Sequence, residues 1–279
     1  MVEVIAVHKG PFDVIIASVP GGIVTLTTDF GLSDHYVGVM KGVILRHVPQ
    51  AQIVDLCHGV EPYDVLGASL LLAASYSYFP PGTVHVVVVD PGVGGARRAI
   101  VAEAGEWRFV APDNGVLEMI YQRHRHRVWA LRTERFALQP TSNTFHGRDI
   151  FAPAAAWLIE GTPLDQLGDE IEDFVRLDVP RPRTVGPVTT GVVLRVDHFG
   201  NLITNLQPAD LPSAFLIIIG ETRIQTLRPS YEDAAPGEMF AIIGSSGLVE
   251  ISMNRASAAS AAGAQAGAKV EVLERGAVE

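Results

Sequence analysis

The residues best suited to chemistry lie together, where an apolar run ends in Asp90 and a glycine-rich turn leads on to Arg97 and Arg98. The turn glycines, Gly92, Gly94 and Gly95, allow the backbone to approach a ligand closely. Neither a P-loop nor a dinucleotide fingerprint is present, because no Gly-Lys-Ser/Thr follows and no GxGxxG opens a helix. On an extended chain neighbouring side chains face opposite ways, so one arginine can return to Asp90. A simple ion pair explains the pattern equally well.

Two further residues belong with this stretch. Asp29 follows the first predicted core strand as Asp90 follows the third, and ligands of open α/β sheets bind beyond such strand ends. A carboxylate there can accept two hydrogen bonds from a ribose diol, although a turn or cap carboxylate would look the same. His146 lies in a glycine-flanked loop before a predicted helix, where it can titrate near neutrality or simply cap and pack. If these loops meet, Asp90, Arg97 and His146 can orient and deprotonate a water molecule.

The second half of the chain contains a separate polar stretch, Asp197–Asn205. Phe199 offers a stacking face, and Asn201 offers a donor and an acceptor, which suits the edge of a purine. A later turn around Ser245 presents hydroxyls and free amides suited to a carboxylate. Both stretches are also compatible with ordinary β-turns.

Two other arrangements are less favoured. Cys57 and His58 are neighbours on a predicted strand and so face opposite ways, which disfavours a nucleophile pair. No HExxH or paired-cysteine spacing supports a metal site built from the remaining candidates, Asp29, Asp34, His35, His58 and His146. We therefore expect no catalytic metal.

The elements that must position these residues follow an α/β pattern in the first half of the chain. Strands and helices alternate over Ile23–Thr28, a helix from about Asp34 to Pro49, Gln52–Leu56, Asp64–Tyr78 and Thr83–Val89. Ser33 is the predicted N-cap of the first helix. Four consecutive valines in the third strand indicate burial on both faces, as in a parallel sheet. We therefore expect an α/β domain with a mostly parallel central sheet.

The pattern changes after Arg176, where several prolines mark a linker and short β-rich runs follow. These runs are Val188–Val196, Leu202–Leu206, Phe215–Ile219, Arg223–Leu227, Met239–Ile243, Leu248–Ser252 and Val270–Leu273. They predict a smaller antiparallel β domain, either a sandwich or a barrel. The stretch Ala256–Ala268 is low in complexity and fits a surface loop or a short helix. We divide the chain into an N-terminal extension (1–22), an α/β domain (23–180) and a β domain (186–274).

Composition restricts the function classes. The chain has 279 residues and a formal net charge of -10, which disfavours a nucleic-acid partner. The basic run Arg123–Arg127 follows a predicted helix, whose C-terminal dipole suits cations. A single cysteine, Cys57, excludes an internal disulfide and fits a cytoplasmic protein. No apolar run reaches the roughly 18 residues of a membrane span, and the apolar piece Val14–Val19 is too short for a signal peptide.

Six ordered motifs resemble those of one enzyme family. They read TTDFGLSDHYVGVMKG, VVDPGVGGARR, APDNGVL, FHGRDIFAP, VDHFGNLITN and GSSGLVEI, within a match from about Ile23 to Leu273. Together they resemble the S-adenosyl-L-methionine (SAM) hydrolases, also called SAM hydroxide adenosyltransferases, which are relatives of the fluorinases and chlorinases. The resemblance implies a SAM-binding α/β domain, a C-terminal antiparallel β-barrel, and a homotrimer, sometimes doubled, with each active site between neighbouring subunits. It also implies hydrolysis of SAM to adenosine and L-methionine by attack of water at C5′, without metal or cofactor.

The resemblance assigns roles to residues by motif position. The trio that handles water matches Asp90, Arg97 and His146, and the ribose-binding aspartate matches Asp29. Contacts to adenine match Phe199 and Asn201, with the backbone from Met253 to Arg255 closing around the base. Positions around the methionine moiety match Asp34, Tyr63, Asp197 and Ser245, and Glu250 is a further candidate contact.

Alternatives to SAM hydrolysis stay open at this point. The halide-using relatives lack the trio and carry Tyr at the position of Asp90, which argues against halogenation. The fluorinase also has Ser where Gly147 stands and Arg where Ser246 stands, so the group that holds the methionine carboxylate is undetermined. Either His146 or Asp90 can serve as the base, with His146 the better match in pKa. A regulator that binds SAM or adenosine with negligible turnover and a metal-dependent hydrolase are the other classes.

Overall fold

The computed structural model describes residues 4–6, 15–17 and 21–274. The chain divides into two units, Met1–Leu177 and Asp178–Glu279. Most of the predicted N-terminal extension, residues 1–22, lies outside the described residues. The predicted domain limits, 23–180 and 186–274, stay predictions, because a division by proximity does not show which stretch folds alone.

The first unit alternates strands with helices along its described residues. Its strands are β1 (Val4–Ala6), β2 (Ile15–Ala17), β3 (Ile23–Thr28), β4 (Gln52–Cys57), β5 (Val84–Val88), β6 (Ala99–Ala104), β7 (Trp107–Pro112), β8 (His126–Leu131) and β9 (Gly168–Ile171). Its α-helices are α1 (Tyr36–His47), α2 (Val65–Ser75), α3 (Glu118–Tyr121), α4 (Thr133–Phe136), α5 (Ala152–Ile159) and α6 (Leu164–Leu167). A 3₁₀ turn follows α2 at Tyr76–Tyr78, and a π-helical turn, Gly147–Phe151, leads into α5.

The central sheet of this unit is mixed, with the order β4-β3-β5-β7-β6-β8-β9. Strands β4, β3, β5 and β7 run parallel, whereas β6, β8 and β9 pair antiparallel. The prediction of an α/β unit is confirmed, but a mostly parallel sheet describes only one half of it. The reason is the two-residue turn at Gly105 and Glu106 between β6 and β7, since so short a connection joins only antiparallel strands.

Strand β5 forms the middle of the core, as its run of valines predicts. Val86 and Val88 pack into one apolar layer with residues of α1 and α5, while Val87 and Val89 pack into the other with residues of α2. Alternate side chains of a strand point to opposite faces, so a fully apolar strand needs a helix layer on each side. Both layers are present, and they hold the carboxyl end of β5, which leads to Asp90, in place.

The helix starts differ from prediction in one detail. Helix α1 has His35 rather than Ser33 at its N-cap position, and no side-chain capping bond is present there. The predicted Ser33 cap is therefore wrong. Helix α2 begins as expected after Asp64, whose carboxylate accepts a hydrogen bond from the Gly67 amide at 2.8 Å.

The second unit is built from antiparallel strands. They are β10 (Arg183–Val185), β11 (Val188–Val196), β12 (Leu202–Thr204), β13 (Phe215–Ile219), β14 (Thr222–Ile224), β15 (Met239–Ile243), β16 (Val249–Met253) and β17 (Lys269–Glu274). The order is β14-β13-β17-β11-β12-β16-β15, with β10 also paired to β11. The two ends of this order nearly close, because the Ala241 amide donates to the Thr226 carbonyl at 2.8 Å and the Arg228 amide donates to the Ala241 carbonyl at 2.9 Å. The sheet is therefore barrel-like.

The low-complexity stretch contains a short helix, α7 (Ala258–Ala262). Ser257 caps it by accepting from the Ser260 amide at 3.1 Å, and Gly263 ends it in the left-handed conformation. Among the described residues, no helix is both long and apolar enough to cross a membrane.

One buried histidine of the first unit makes its stability depend on pH. His85 on β5 is fully buried, its Nδ1 lies 2.7 Å from Thr25 Oγ1, and burial lowers its pKa from 6.5 to about 3. In the unfolded chain the same ring takes up a proton near pH 6.5. Stability from this group is therefore complete above pH 6.5 and is lost as the pH falls towards 3.

As the pH falls from 6 to 4, we expect protonation of His85 in the unfolded chain to lower the free energy of unfolding by about 1.4 kcal/mol per pH unit. The substitution His85→Gln keeps a polar side chain that does not titrate, so its slope should be smaller by that amount. Urea unfolding followed by tryptophan fluorescence measures this, because Trp107, Trp129 and Trp157 all lie in the first unit. Parallel pH dependences in the two proteins would contradict the assignment.

Candidate active site

Asp29 and Asp90 meet at one edge of the first unit's sheet. Asp29 directly follows β3, and Asp90 lies two residues beyond β5, with Thr28 and Val88 paired between these parallel neighbours. A cavity of 340 Å³ opens at this edge. The predicted site residues that line it are Asp29, Tyr63, Asp90 and His146.

Arg97 joins Asp90 to His146. Its Nε donates to Asp90 Oδ1 and Oδ2 at 2.9 and 3.1 Å, and its Nη2 donates to Asp90 Oδ2 and, at 2.6 Å, to His146 Nδ1. The guanidinium lies over the Phe151 ring, 5.2 Å from its centroid. The side chains of Arg97 and Asp90 are only 11% and 5% exposed. Arg97 is not among the residues that line the cavity, but it contacts two that are.

This contact determines which nitrogen of His146 carries the proton. A guanidinium only donates, so Nδ1 must accept, and the neutral ring holds its proton on Nε2. Burial, together with the positive charge of Arg97, lowers the pKa of His146 from its usual 6.5, while Asp90 and Asp149 oppose the shift. His146 is therefore a neutral ring whose basic nitrogen is already occupied.

Two turn glycines make room for the protein itself rather than for a ligand. A Cβ on Gly94 would collide with the Asn143 carbonyl, and Gly94 also has a φ of 76°. A Cβ on Gly92 would lie 3.1 Å from the Arg97 side chain. These close approaches let the turn after Asp90 pack against both Arg97 and the loop that carries His146.

Asp29 supports a strained residue across the cavity. Its Oδ2 accepts a hydrogen bond from the Tyr63 amide at 2.9 Å, and Tyr63 has a φ of 69°, in the left-handed region that side chains disfavour. The tyrosine side chain is 70% exposed at the cavity mouth. The other oxygen of Asp29 makes no hydrogen bond to the described residues and can accept from a ligand.

Sequence reasoning missed the aromatic wall of the cavity. Phe30, Tyr36 and Phe145 line it, with ring centroids 5.1 to 6.1 Å apart. Their signal was the aromatic content of the motifs TTDFGLSDHY and FHGRD. Asp34, predicted beside the methionine moiety, is exposed and does not line the cavity.

In the second unit, Asp197 organises the predicted adenine site. Its Oδ1 accepts from the backbone amides of Phe199 and Asn201 at 2.9 and 2.8 Å, and its Oδ2 accepts from Asn201 Nδ2 at 2.8 Å. Asn201 Nδ2 also donates to the Tyr231 hydroxyl at 3.3 Å. Both amide protons are thereby used, so Asn201 offers an acceptor and not the expected pair of donor and acceptor. Phe199 is 76% exposed and free to stack.

The remaining predicted residues of the second unit lie on and beside β16. Glu250 is buried, and burial followed by the charge of Asp197 raises its pKa. Its carboxylate lies so close to Gly244 that no Cβ fits there, which places it under the turn that carries Ser245. Ser245 is exposed, and Met253 ends β16. Among residues 4–6, 15–17 and 21–274, no three His, Cys, Asp or Glu side chains converge as metal ligands would.

Comparison with known proteins matches both units. The SAM hydroxide adenosyltransferase N-terminal domain matches residues 24–168, and the C-terminal domain of the same family matches residues 191–271. The chain is 38% identical over 262 residues, 88% of its length and 97% of the relative's, to a Thermus thermophilus protein named (R)-S-adenosyl-L-methionine hydrolase. A fluorinase of an Actinoplanes species is more distant, at 28% identity over 290 residues, covering 90% of this chain and 97% of the fluorinase.

A crystal structure of an uncharacterized conserved protein from Thermotoga maritima is also similar. It superposes with a TM-score of 0.83 at 36% identity, covering 90% of this chain and all of that one. With both family domains matched in order, the chain belongs to the SAM hydroxide adenosyltransferase family.

We expect the pKa of His146 to lie below 6.5 in the wild type and to rise in Arg97→Met. The substitution removes the guanidinium that occupies Nδ1 and repels a second positive charge, while Asp90 remains to favour the imidazolium. Nitrogen-15 NMR of the histidine rings over pH 4 to 8 measures both the pKa and the tautomer. A wild-type ring protonated on Nδ1, or a pKa that does not change in the variant, would contradict the geometry.

Proposed function

We propose that the protein hydrolyses SAM to adenosine and L-methionine. The observation that carries the proposal is Arg97 held between two cavity-lining residues, Asp90 and His146, at the sheet edge where Asp29 also lies. Membership in the SAM hydroxide adenosyltransferase family and the name of the Thermus relative support this choice of substrate.

The chemistry requires a nucleophile and little else. The water oxygen forms a bond to C5′, and the C5′–S bond breaks with its electron pair passing to sulfur. Methionine leaves as a neutral thioether and so needs no general acid. The proton lost by the water must be accepted, and base assistance is worth about 10²–10⁴-fold. The rest of the rate must come from alignment and exclusion of bulk water.

We assign the base to Asp90. Its carboxylate lines the cavity and keeps free lone pairs, whereas the Nδ1 lone pair of His146 already accepts from Arg97. Arg97 cannot be a base at any working pH, and its bidentate contact holds Asp90 in one orientation. His146 then helps to orient Arg97 by accepting from Nη2, the nitrogen that also donates to Asp90 Oδ2. The sequence left the base open between these two residues, with His146 the better match in pKa.

The remaining residues are proposed as substrate contacts on the strength of the family motifs. In the first unit, the free oxygen of Asp29 would accept from the ribose diol. In the second unit, the adenine contacts would be Phe199, Asn201 and the backbone at Met253. The methionine end would be bound by Asp34, Tyr63, Asp197 and Ser245, with Glu250 nearby.

The family resemblance further supports an assembly. We propose a homotrimer, or a dimer of trimers, in which the first unit of one subunit and the second unit of its neighbour share each substrate. A cytoplasmic location is proposed from the single cysteine, Cys57, which is free. No cofactor or metal is invoked for the proposed reaction.

A halide-dependent SAM halogenase is the alternative that relatives suggest. Asp90 disfavours it, because a carboxylate beside the attacking position repels an anionic nucleophile. A binding protein with negligible turnover is the second alternative, and the rate of SAM hydrolysis distinguishes it from a hydrolase.

The direct test is incubation of the purified protein with SAM. The relative's name carries an (R) descriptor, and because L-methionine and adenosine fix the carbon centres, it refers to the sulfonium sulfur. Both sulfonium epimers should therefore be assayed by chromatography. We expect equal amounts of adenosine and methionine, with the 5′ oxygen of adenosine labelled when the reaction runs in H₂¹⁸O. Formation of chloroadenosine in chloride, or binding without turnover, would contradict the proposal.

Substitutions in the trio test the assigned roles. We expect Asp90→Asn and Arg97→Ala to lower kcat by about 10²-fold or more while adenosine binding stays largely intact. His146→Asn places an oxygen where Nδ1 was and should retain more activity than His146→Ala, because it can still accept from Arg97. Equal loss in both His146 variants would favour His146 as the base instead. Wild-type rates in Arg97→Ala would contradict the whole assignment.

A further inference from the structure

A chain of polar contacts outside the cavity starts at the partly exposed Lys41 and the exposed Asp55 and ends at buried Thr28, next to Asp29. Thr28, the last residue of β3, is fully buried, and its Oγ1 lies 2.9 Å from His58 Nδ1. His58 Nε2 lies 3.0 Å from Asp55 Oδ1, and Lys41 Nζ donates to Asp55 Oδ2 at 2.6 Å. The chain therefore runs from α1 through β4 to the turn that carries Asp29.

The Thr28 hydroxyl joins two groups at once. Its contact with His58 Nδ1 needs one donor and one acceptor, and a hydroxyl can supply either. Whichever atom donates, the Thr28 oxygen keeps a lone pair, which accepts a hydrogen bond from the Phe30 amide at 3.2 Å.

The turn after β3 is bound to the His58 segment a second time. The Gly31 amide donates to the His58 carbonyl at 2.8 Å. The consecutive amides of Phe30 and Gly31, directly after Asp29, are thus fixed, one by the Thr28 hydroxyl and one by the His58 carbonyl. Asp29 lies between Thr28 and Phe30 and accepts a hydrogen bond from the Tyr63 amide.

A hydrolytic role for this triad-like arrangement does not fit. The Thr28 hydroxyl is fully buried and cannot meet a substrate. The Cys57–His58 pair also serves no nucleophilic purpose here, because His58 Nδ1 is occupied by Thr28. What the arrangement can do is hold the backbone of one turn.

We propose that Thr28 and His58, anchored by Asp55, are positioning residues that fix the Asp29 carboxylate for the ribose. This rests on the proposed function, in which Asp29 binds the substrate. Loss of the Thr28 hydroxyl frees the Phe30 amide, lets the turn move and weakens the substrate contact without touching Asp90 or Arg97.

The same strand offers a matched control. Thr25 is also fully buried on β3, and its Oγ1 lies 2.7 Å from His85 Nδ1, but it is three residues away from Thr28 in sequence. Thr25→Val and Thr28→Val each remove one buried hydroxyl from a threonine–histidine pair. The two substitutions should lower the free energy of unfolding by similar amounts. A difference between them in KM for SAM or Kd for adenosine would therefore reflect the placement of Asp29.

We expect Thr28→Val to raise KM for SAM and Kd for adenosine by about tenfold, the value of one hydrogen bond, with a smaller change in kcat. Thr28→Ser keeps the hydroxyl and should restore wild-type values, and Thr25→Val should leave both constants unchanged. His58→Asn keeps a side-chain amide that can hydrogen-bond to Thr28 in either direction and should perturb binding less than His58→Ala. Equal effects of the two valine variants, or no rescue by serine, would overturn the proposal.

Amide hydrogen exchange separates this idea from the proposed function. In Thr28→Val, the amides of Phe30, Gly31 and Tyr63 should exchange faster than in the wild type, whereas Thr25→Val should leave them unchanged. If the turn loosens as expected but the wild type neither binds adenosine nor hydrolyses SAM, the proposed function fails and the structural link stands. If exchange is unchanged, the link itself is wrong. Should Thr28→Val fail to fold, the His58→Asn and His58→Ala pair provides the same readouts.

Discussion

The positive charge of Arg97, almost entirely removed from solvent, is the constraint on which the site depends. A guanidinium stays charged in any folded protein, so one that is only 11% exposed must be met by acceptors. Asp90 supplies both carboxylate oxygens, His146 supplies a lone pair, and Phe151 supplies a ring face. Each partner is therefore fixed in orientation by the same group. Arg97 therefore sets the orientation of Asp90 and His146, two residues that line the cavity, without lining it itself.

The fold supplies the residues of the candidate site from separate elements that end at one edge of the sheet. Parallel neighbours β3 and β5 deliver Asp29 and Asp90, and the π-helical turn before α5 delivers His146. The antiparallel half of the sheet contributes Arg97 just before β6, within reach of Asp90 because the glycine turn folds back. The mixed character of the sheet is thus part of how the site is built.

Much of this was predictable from the sequence. The bounds of β11, β13 and β15 were predicted to the residue, because short runs rich in apolar and β-branched residues are bounded there by glycine or proline. Strand β8 was missed because the basic run Arg123–Arg127 resembles a helix end, and β9 was missed because four residues on a sheet edge carry almost no pattern. Both elements depend on pairing with distant strands, which local sequence does not encode.

The candidate site divides in the same way. Residue types and strand ends indicated Asp29, Asp90 and His146, but the proton on Nε2 of His146 follows only from which group reaches Nδ1. The use of both Asn201 amide protons by Asp197 and Tyr231 was equally inaccessible, because it is a property of three-dimensional neighbours. The sequence identifies which groups can take part in a site, whereas the three-dimensional fold determines which of them donates each hydrogen bond and which accepts it.

The separation of Arg97 from its two partners along the chain also bears on biosynthesis. Asp90 is seven residues away, but His146 is 49 residues away. A nascent chain therefore contains both members of the ion pair well before the histidine has been made. During that interval it lacks the acceptor that His146 supplies to Arg97 and the Asn143 backbone against which Gly94 packs. The set of contacts around Arg97 is complete only once the loop before α5 has been synthesised.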